Sequence, residues 1–412
     1  MTRSFHDVHT IALGATTSFE DGLLTVGDDA SLLLADPALA EVRLSVASHG
    51  DSARIIKILD TVEPRAKEGA GLFPGFLGPP GSQGTGTTHV LRGAAVVMAG
   101  YLPRAQEGLV DMTGPAQPMS FLGQTHNLVV EFDPRDGAPW EEVDIALRRA
   151  GLKLAEYLAR AAIGAPADDT DELPSRAERG SAGLPRVAAI TNLQTQGTFK
   201  DVFVYGKSFS GAPPVLIDAN ELEDGAVVSG QFGHPALKNP TYVHQNHPVA
   251  RALRRRDGKD LDFAGVVLCP EPVDQDGKER TAAEVARLCK DEGFDAVIIT
   301  KEGGGNADGD VSLKMDALEE IGIRAVGLFA EMAGSDGSGA PLVIAPSKAT
   351  AMVSTGNYDH VLKLPAMERA VGGEELALLK VSATSELSVP AAVVYCSLSP
   401  LGLGHATCRE AG

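Results

Sequence analysis

The sequence predicts an α/β protein in which a β-rich, α+β N-terminal domain precedes a Rossmann-like, mostly parallel α/β domain. Three observations support this fold class. Short apolar runs between Gly, Pro and Asp turns fill the first third of the chain, strand-like and helix-like segments alternate beyond residue 185, and a polar stretch separates the two regions. A chain of 412 residues has room for two or three hydrophobic cores.

The N-terminal domain is expected to cover residues 1–163. Its helix is predicted over 139–162, because apolar side chains such as Val143, Ala150 and Leu158 recur on one broad face. The strand-like runs lie at 23–26, 42–48, 53–60, 89–98 and 128–132.

Residues 164–184 are predicted to be a linker, because their charged and small side chains cannot bury enough apolar surface for a core. A substrate-binding α/β domain is expected over 185–375, and a β-like extension with a Gly-rich tail over 376–412. Predicted strands lie at 186–190, 265–269, 296–300, 325–329, 342–345 and 361–363, and predicted helices at 282–292, 313–321 and 348–353. Ligands of such sheets bind at the carboxyl ends of the strands.

Composition excludes several classes of partner. The net charge of −19 disfavours a nucleic-acid partner. The first 20 residues include Arg3, Asp7 and Glu20 without a sustained apolar run, so we expect a cytoplasmic protein with no signal peptide and no membrane association. The four cysteines lack CxxC spacing and are expected to be free thiols, with Cys396 and Cys408 as candidate redox groups or inert side chains.

Acidic residues follow two predicted strands of the second domain. Glu302 comes directly after the strand at 296–300, and Glu331 follows the strand at 325–329. Carboxylates at this edge of a parallel sheet can bind an ammonium group or act as acid and base, although turns also favour such residues.

His244 and His247 lie three residues apart, a spacing that allows metal binding on a helix. Pro248 follows at once and no third ligand is specified, so hydrogen bonding to substrate or backbone is the favoured interpretation and no metal is predicted.

Several segments, taken in order, resemble the component B alpha/beta subunit family of the glycine, sarcosine and betaine reductases. These segments are GLFPGFL at 71–77, GTGTTHVLRGAA at 84–95, QEGLVDMTGP at 106–115, TYVHQNHP at 241–248 and EGGGN at 302–306. The resemblance implies a subunit of an oxidoreductase complex that binds a glycine-like substrate. It also implies a partner, a second component B-type subunit bearing a thiol or selenol, with which the C–N bond is cleaved reductively.

In glycine-specific members of that family, an Asn-Cys bond after Ser-Gly is cut and the Cys becomes a pyruvoyl group. Here the matching positions hold Gln231 and Phe232. Phe has no heteroatom on Cβ, so it cannot undergo the acyl shift or the elimination. The resemblance therefore implies an intact chain, no carbonyl cofactor, and a substrate with a quaternary or substituted nitrogen, as in the betaine-type members.

The candidate site combines residues of the matched segments with Glu331 and Phe232, which lie outside them. Glu302, Glu331 and His244 are the expected catalytic residues. A cationic substrate would be held by carboxylates and aromatic faces, and the substrate-binding candidates are Phe232, Tyr242, Gln245, Asn246, Asn306 and His89.

Two other functions stay open at this point. A repurposed family member could make or break a C–N or C–S bond in a biosynthetic or degradative pathway. A non-catalytic ligand-binding or scaffold subunit is the other alternative, because the sequence contains no complete catalytic motif of its own.

Overall fold

The structure, a computed structural model, describes residues 1–103, 105–176, 183–195, 202–230, 233–377 and 379–402. Mixed sheets and helices share the fold, which confirms the α/β class. The first part of the chain contains helices α1 (Asp29–Leu32) and α2 (Trp140–Arg160), and strands β1 (Thr2–Asp7), β2 (Thr10–Gly14), β3 (Ser18–Glu20), β4 (Leu23–Gly27), β5 (Leu39–Ser48), β6 (Ala53–Ile55), β7 (Ile58–Val62), β8 (Arg65–Lys67), β9 (Thr87–Arg92), β10 (Ala94–Gly100), β11 (Val110–Asp111), β12 (His126–Pro134) and β13 (Asp169–Glu172).

The long helix α2 packs on the strands of the first part of the chain. Its apolar face buries residues such as Val143, Leu147 and Leu154 in one core with strands β7, β10 and β12. Glu141 in the first turn and Arg160 in the last complement the helix dipole. The helix predicted over 139–162 is therefore confirmed within two residues at each end.

Part of the segment expected to be a linker is a strand. Strand β13 pairs antiparallel with β1 and forms one edge of the four-stranded sheet β13-β1-β9-β8. All four side chains of β13 are polar, and three of them are exposed. The chain thus leaves the N-terminal sheet after Glu172, later than the sequence indicates.

The second part of the chain is built around a six-stranded sheet. Its elements are α3 (Ala219–Glu223), α4 (Thr241–Gln245), α5 (Pro248–Arg256), α6 (Gln275–Asp291) and α7 (Asn306–Glu320), with β14 (Arg186–Gln194), β15 (Phe203–Val204), β16 (Lys207–Ser208), β17 (Val215–Ile217), β18 (Val227–Val228), β19 (Asp262–Glu271), β20 (Ala296–Thr300), β21 (Arg324–Glu331) and β22 (Ala351–Asn357). The strand order is β17-β19-β14-β20-β21-β22, with all neighbours parallel except β17. Without β17 this is the 2-1-3-4-5 order of doubly wound sheets, whose switch point lies between β14 and β20.

Two predicted elements near the end of this sheet are wrong, and a third is a strand that lies outside the parallel sheet. Residues 342–345 form no strand, and residues 348–353 are not helical, because β22 begins at Ala351 and pairs with β21. The segment from Val361 does form a strand, but it pairs antiparallel outside the parallel sheet. Pairing at a sheet edge overrides the weak helical preference of the 348–353 segment.

The remaining strands return to the N-terminal part of the chain. They are β23 (Val361–Leu364), β24 (Arg369–Val371), β25 (Glu375–Leu376), β26 (Val381–Ser382) and β27 (Leu387–Pro390). Strand β24 pairs parallel with β6, and the turn after β27 brings Tyr395 and Cys396 into a core shared with β7 and β10. No helix in the described ranges is both long and apolar enough to cross a lipid bilayer.

Candidate functional site

Glu302 stands at the switch point of the parallel sheet. It follows β20 and is fully buried. Its Oε2 accepts a hydrogen bond from the backbone N–H of Gln194, at the end of β14, at 2.8 Å. Its own backbone N–H donates to Oε1 of Glu271, the last residue of β19, at 3.1 Å. The ends of the two neighbouring strands therefore fix Glu302, β14 through its carboxylate and β19 through its backbone.

His244 approaches the same carboxylate from helix α4. Its Nε2 lies 3.7 Å from Oε1 of Glu302, and both side chains are fully buried. Within the described ranges, neither ring nitrogen of His244 nor Oε1 of Glu302 has a hydrogen-bond partner. Buried polar atoms are nearly always paired, so this arrangement identifies a place where a polar ligand would be stabilised.

Asp60 fixes the start of helix α4. Both the backbone N–H and the hydroxyl of Thr241 donate to the Asp60 carboxylate, at 2.9 and 2.6 Å. The Thr241 hydroxyl also accepts from the backbone N–H of Ser229 at 2.9 Å. Because Asp60 lies on β7, the N-terminal part of the chain sets the position of the His244 imidazole.

Lys238 and Cys396 complete what we call the buried cluster, defined as Asp60, Lys238, His244, Glu271, Glu302 and Cys396. Burial lowers the pKa of Lys238 to about 8, against the opposite pull of the Asp60 and Glu302 carboxylates. Burial raises the pKa of the Cys396 thiol well above its usual range, and the nearby Lys238 opposes that shift. Cys396 also has a left-handed φ of 60°, a conformation that costs energy and is concentrated at functional sites.

Glu271 is a second carboxyl group beside Glu302. Burial, followed by the charges of Asp310 and Glu302, raises its pKa well above the usual range. The acid form of Glu271 is therefore favoured, which lessens repulsion between the two carboxyl groups. Its Oε2 has no hydrogen-bond partner in the part of the chain that the structure describes.

His247 has a structural position. Its Nδ1 accepts from the backbone N–H of Ala250 at 3.2 Å and caps helix α5. The ring proton therefore sits on Nε2 and is donated to the hydroxyl of Thr191 at 2.6 Å. Burial, with the nearby His244, lowers the pKa of His247 to about 3. No three His, Cys, Asp or Glu side chains among the described residues are arranged to hold a metal ion.

Gln245 and Asn246 are engaged with the N-terminal part of the chain. The Gln245 side chain exchanges hydrogen bonds with the backbone of Glu63, at 2.9 and 3.3 Å. Asn246 accepts from Arg65 at 3.0 Å and donates to the Glu63 carboxylate at 3.1 Å. These two predicted substrate-binding residues fasten α4 to the strands β7 and β8.

The other predicted site residues are spread more widely. Tyr242 stacks on Phe121 with ring centroids 4.4 Å apart. Glu331 is half-buried at the end of β21, where its backbone carbonyl accepts from Tyr358, and Asn306 is exposed at the start of α7, bonding Val273.

His89 is not part of the buried cluster. His89 is on β9, where its ring bonds His6 and Glu68, each at 2.9 Å. Phe232 is outside the described residues, as are Gln231 and Cys408.

Sequence reasoning missed Asp60, Lys238 and Glu271. Glu271 carries the same signal that identified Glu302, since it follows the strand predicted at 265–269. Asp60 lies within a predicted strand far away in the chain, and nothing in its neighbourhood indicates that it orients Thr241. The three free cysteines Cys269, Cys289 and Cys396 are buried, which confirms the predicted thiols within the described ranges.

The fold is that of an α/β protein with a doubly wound sheet, and the buried cluster of polar side chains lies at its switch point. The family model for glycine/sarcosine/betaine reductase component B subunits matches residues 1–393. The chain belongs to this family.

Curated relatives match over most of the chain. The glycine reductase complex component B subunits alpha and beta of Acetoanaerobium sticklandii are 36% identical over 373 residues, covering 89% of this chain and 87% of the relative. The sarcosine reductase complex component B subunit alpha of Peptoclostridium acidaminophilum is 33% identical over 374 residues, with the same coverage. The betaine reductase complex component B subunit alpha of that organism is 30% identical and covers 98% of both chains. No solved structure matches.

Proposed function

We propose that this chain is a subunit of a reductase complex that binds a small amino acid or amine derivative, betaine-like or N-substituted. A second component B-type subunit bearing a thiol or selenol would then cleave the C–N bond reductively. The observation that carries this proposal is the buried pair of Glu302 and His244, 3.7 Å apart with unpartnered polar atoms, in a chain that belongs to the component B family.

The charges of the buried cluster suit a zwitterionic ligand. The Glu302 carboxylate would face the cationic nitrogen, and the Lys238 ammonium would face the ligand carboxylate. Both of these protein charges are buried, so little water screens them. Their attraction to the opposite charges of the ligand is therefore stronger than it would be at the surface. His244 would hydrogen-bond the ligand through one ring nitrogen.

The electron balance is simple for a quaternary nitrogen. The partner's thiolate or selenolate supplies an electron pair to the carbon, and the C–N bonding pair leaves with the nitrogen as a neutral tertiary amine. No proton is needed by that leaving group. In this proposal the present chain binds and orients the substrate, and the partner supplies the nucleophile.

The chain would act without a carbonyl cofactor. Gln231 and Phe232 stand where glycine-specific relatives carry the Asn-Cys pair, and the Phe side chain offers no route to a pyruvoyl group. We therefore expect an uncut chain and no Schiff base with substrate. We further propose a cytoplasmic location, since reduced thiols such as Cys269 and Cys289 persist there.

The experiment is anaerobic purification of the tagged chain from its native host, with the intact mass of every recovered protein. The purified complex is then given betaine, N-methylglycine or glycine together with a dithiol, and the released amine is measured. An uncut chain with a stoichiometric thiol- or selenol-bearing partner, releasing amine from a substituted substrate, supports the proposal. Amine release from glycine but from neither betaine nor N-methylglycine contradicts it, and so does a cleaved chain.

The matched variants are Glu302→Gln and, as the control, Glu320→Gln, which changes an exposed carboxylate paired with Lys348. Gln keeps an oxygen that can accept from the Gln194 backbone but removes the charge. We expect the first variant to lose at least tenfold in amine release and the second to stay close to the parent. A chain that co-purifies with a protein lacking a reactive thiol would favour the repurposed-enzyme alternative.

A further inference from the structure

A large cavity lies on the other side of the turn that carries Lys238. Its volume is about 780 Å³, within the range of roughly 300–1,000 Å³ that is usual for sites of drug-sized ligands. Lys57, Tyr101 and Gln106 line it from the N-terminal part of the chain, and Pro235, Tyr358 and Ala392 from the later part. Glycine or betaine would fill only a small part of this space.

One turn of backbone separates this cavity from the buried cluster. Pro235 lines the cavity, and its carbonyl oxygen accepts from the backbone N–H of Cys396 at 2.9 Å. His234 is held between two lining residues: its backbone N–H donates to Gln106 at 2.7 Å, and its Nδ1 lies 3.4 Å from the Tyr358 hydroxyl. The cavity therefore lies next to the buried cluster but is lined by different residues.

Lys57 is the basic residue that lines the cavity. Its backbone has a left-handed φ of 55°. Two residues further on, the pairing of β10 with β7 shifts register and passes over Leu59, which also lines the cavity. Strained residues and β-bulges are concentrated beside ligand sites. The Lys57 side chain is half-buried, and within the described ranges its ammonium has no hydrogen-bond or ion-pair partner.

The rest of the lining is mostly apolar. Leu59, Leu102 and Val393 contribute aliphatic surface. Tyr101 stands at the rim with 62% of its surface exposed and meets Trp140 edge-on at 5.9 Å. Such an exposed aromatic face favours contact with a ring or chain of a ligand. The Glu107 carboxyl also lines the cavity, but it already has an interaction of its own.

We propose that this cavity is a second binding site, which takes a small amphiphilic anion with an aromatic or aliphatic body and one carboxylate or sulfonate group. The anionic group pairs with Lys57, and the apolar body lies against Leu59, Val393 and the two tyrosine rings. The site is independent of the reductase function proposed above, because no member of the buried cluster lines it.

The test uses 1-anilinonaphthalene-8-sulfonate, an aromatic sulfonate whose fluorescence rises in apolar surroundings, titrated into the full-length folded protein. Lys57→Met removes the charge at constant length. Ala392→Phe places a ring inside the cavity. Lys153→Met is the matched control, since Lys153 lines a different, smaller depression with Leu32 and Phe76. Thermal melting verifies that each variant is folded before titration.

We expect saturable binding of one dye per chain, about tenfold weaker for Lys57→Met, lost for Ala392→Phe, and unchanged for Lys153→Met. Non-saturable dye binding, or equal affinities for all folded variants, overturns the inference as adventitious binding of an apolar dye. Decanoate and indole-3-acetate should displace the dye, whereas betaine should not. These outcomes do not depend on amine release, so failure of the reductase proposal leaves them readable.

Discussion

The buried charge network around Glu223 gives the sharpest stability prediction. Glu223, in helix α3, is 3% exposed and pairs with Arg3 of β1 and with Arg254 of α5, the latter at 2.6 Å. Arg65 of β8 lies 3.6 Å away and also donates to the Glu223 backbone carbonyl. One carboxylate thus joins the N-terminal sheet to the second part of the chain.

The magnitude follows from the pKa of this group. Burial opposes ionisation, but the surrounding arginines, Arg251 first, outweigh it and hold the pKa of Glu223 at about 2 instead of the ordinary 4.5. At 1.36 kcal/mol per pH unit this difference corresponds to about 3 kcal/mol of folding free energy. Because the folded-state pKa is depressed, this contribution is complete above pH 4.5 and is lost as the pH falls towards 2.

The perturbation is Glu223→Gln, which keeps the shape and removes the charge that the buried arginines require. Urea unfolding followed by the fluorescence of Trp140 should show the variant less stable by about 3 kcal/mol at pH 7. The difference from the parent should shrink steadily between pH 4.5 and 2. Asp260→Asn is the control, since the Asp260–Arg256 pair is exposed and its removal should leave the curve unchanged. A difference below 1 kcal/mol at pH 7, or one that does not vary with pH, would refute this reasoning.

Three further predictions concern single groups. Since the pKa of Lys238 is lowered to about 8, affinity for a carboxylate ligand should fall as the pH rises from 7 to 9, and calorimetric titration at several pH values tests this. Burial raises the pKa of the Cys396 thiol, and it raises the pKa of the Cys269 thiol to about 12. Iodoacetamide should therefore leave both thiols unmodified in the native protein and label them in urea, and peptide mapping tests this. Gly225→Ala should lower the melting temperature by several degrees, because φ is +81° and the added Cβ would lie 2.3 Å from the Phe73 ring; an unchanged melting temperature would contradict the assigned packing.

Local sequence patterns predicted the elements that pair with segments nearby in the chain, or that repeat an apolar pattern over many residues. Helix α2 has an apolar stripe over twenty-one residues, so its bounds are close to those observed. Strand β22 was missed because it lies at the edge of the sheet, with β21 as its neighbour in the described ranges. Its first four residues are exposed, and its sequence AMVSTGN shows no alternation of apolar and polar side chains. Strand β13 was missed for a similar reason, since its side chains are polar and mostly exposed.

The candidate site likewise contains residues that the sequence could identify and residues that only the tertiary packing reveals. Glu302 follows a buried strand and His244 lies in a distinctive segment, so both could be identified, and the structure brings them to 3.7 Å. Gln245 and Asn246 lie in the same segment but point to Glu63, a direction that only the tertiary packing of β7 on α4 determines. Asp60 joins the cluster through that packing alone.

The most direct test of the central claim is calorimetric titration of betaine and N-methylglycine into the purified parent, Glu302→Gln and Glu320→Gln chains. We expect one site per chain in the parent, at least tenfold weaker binding in Glu302→Gln, and little change in Glu320→Gln, whose carboxylate is exposed. Melting temperatures close to that of the parent would show that both variants are folded. Equal affinity of the parent and Glu302→Gln would contradict the assignment of the buried cluster as the ligand site.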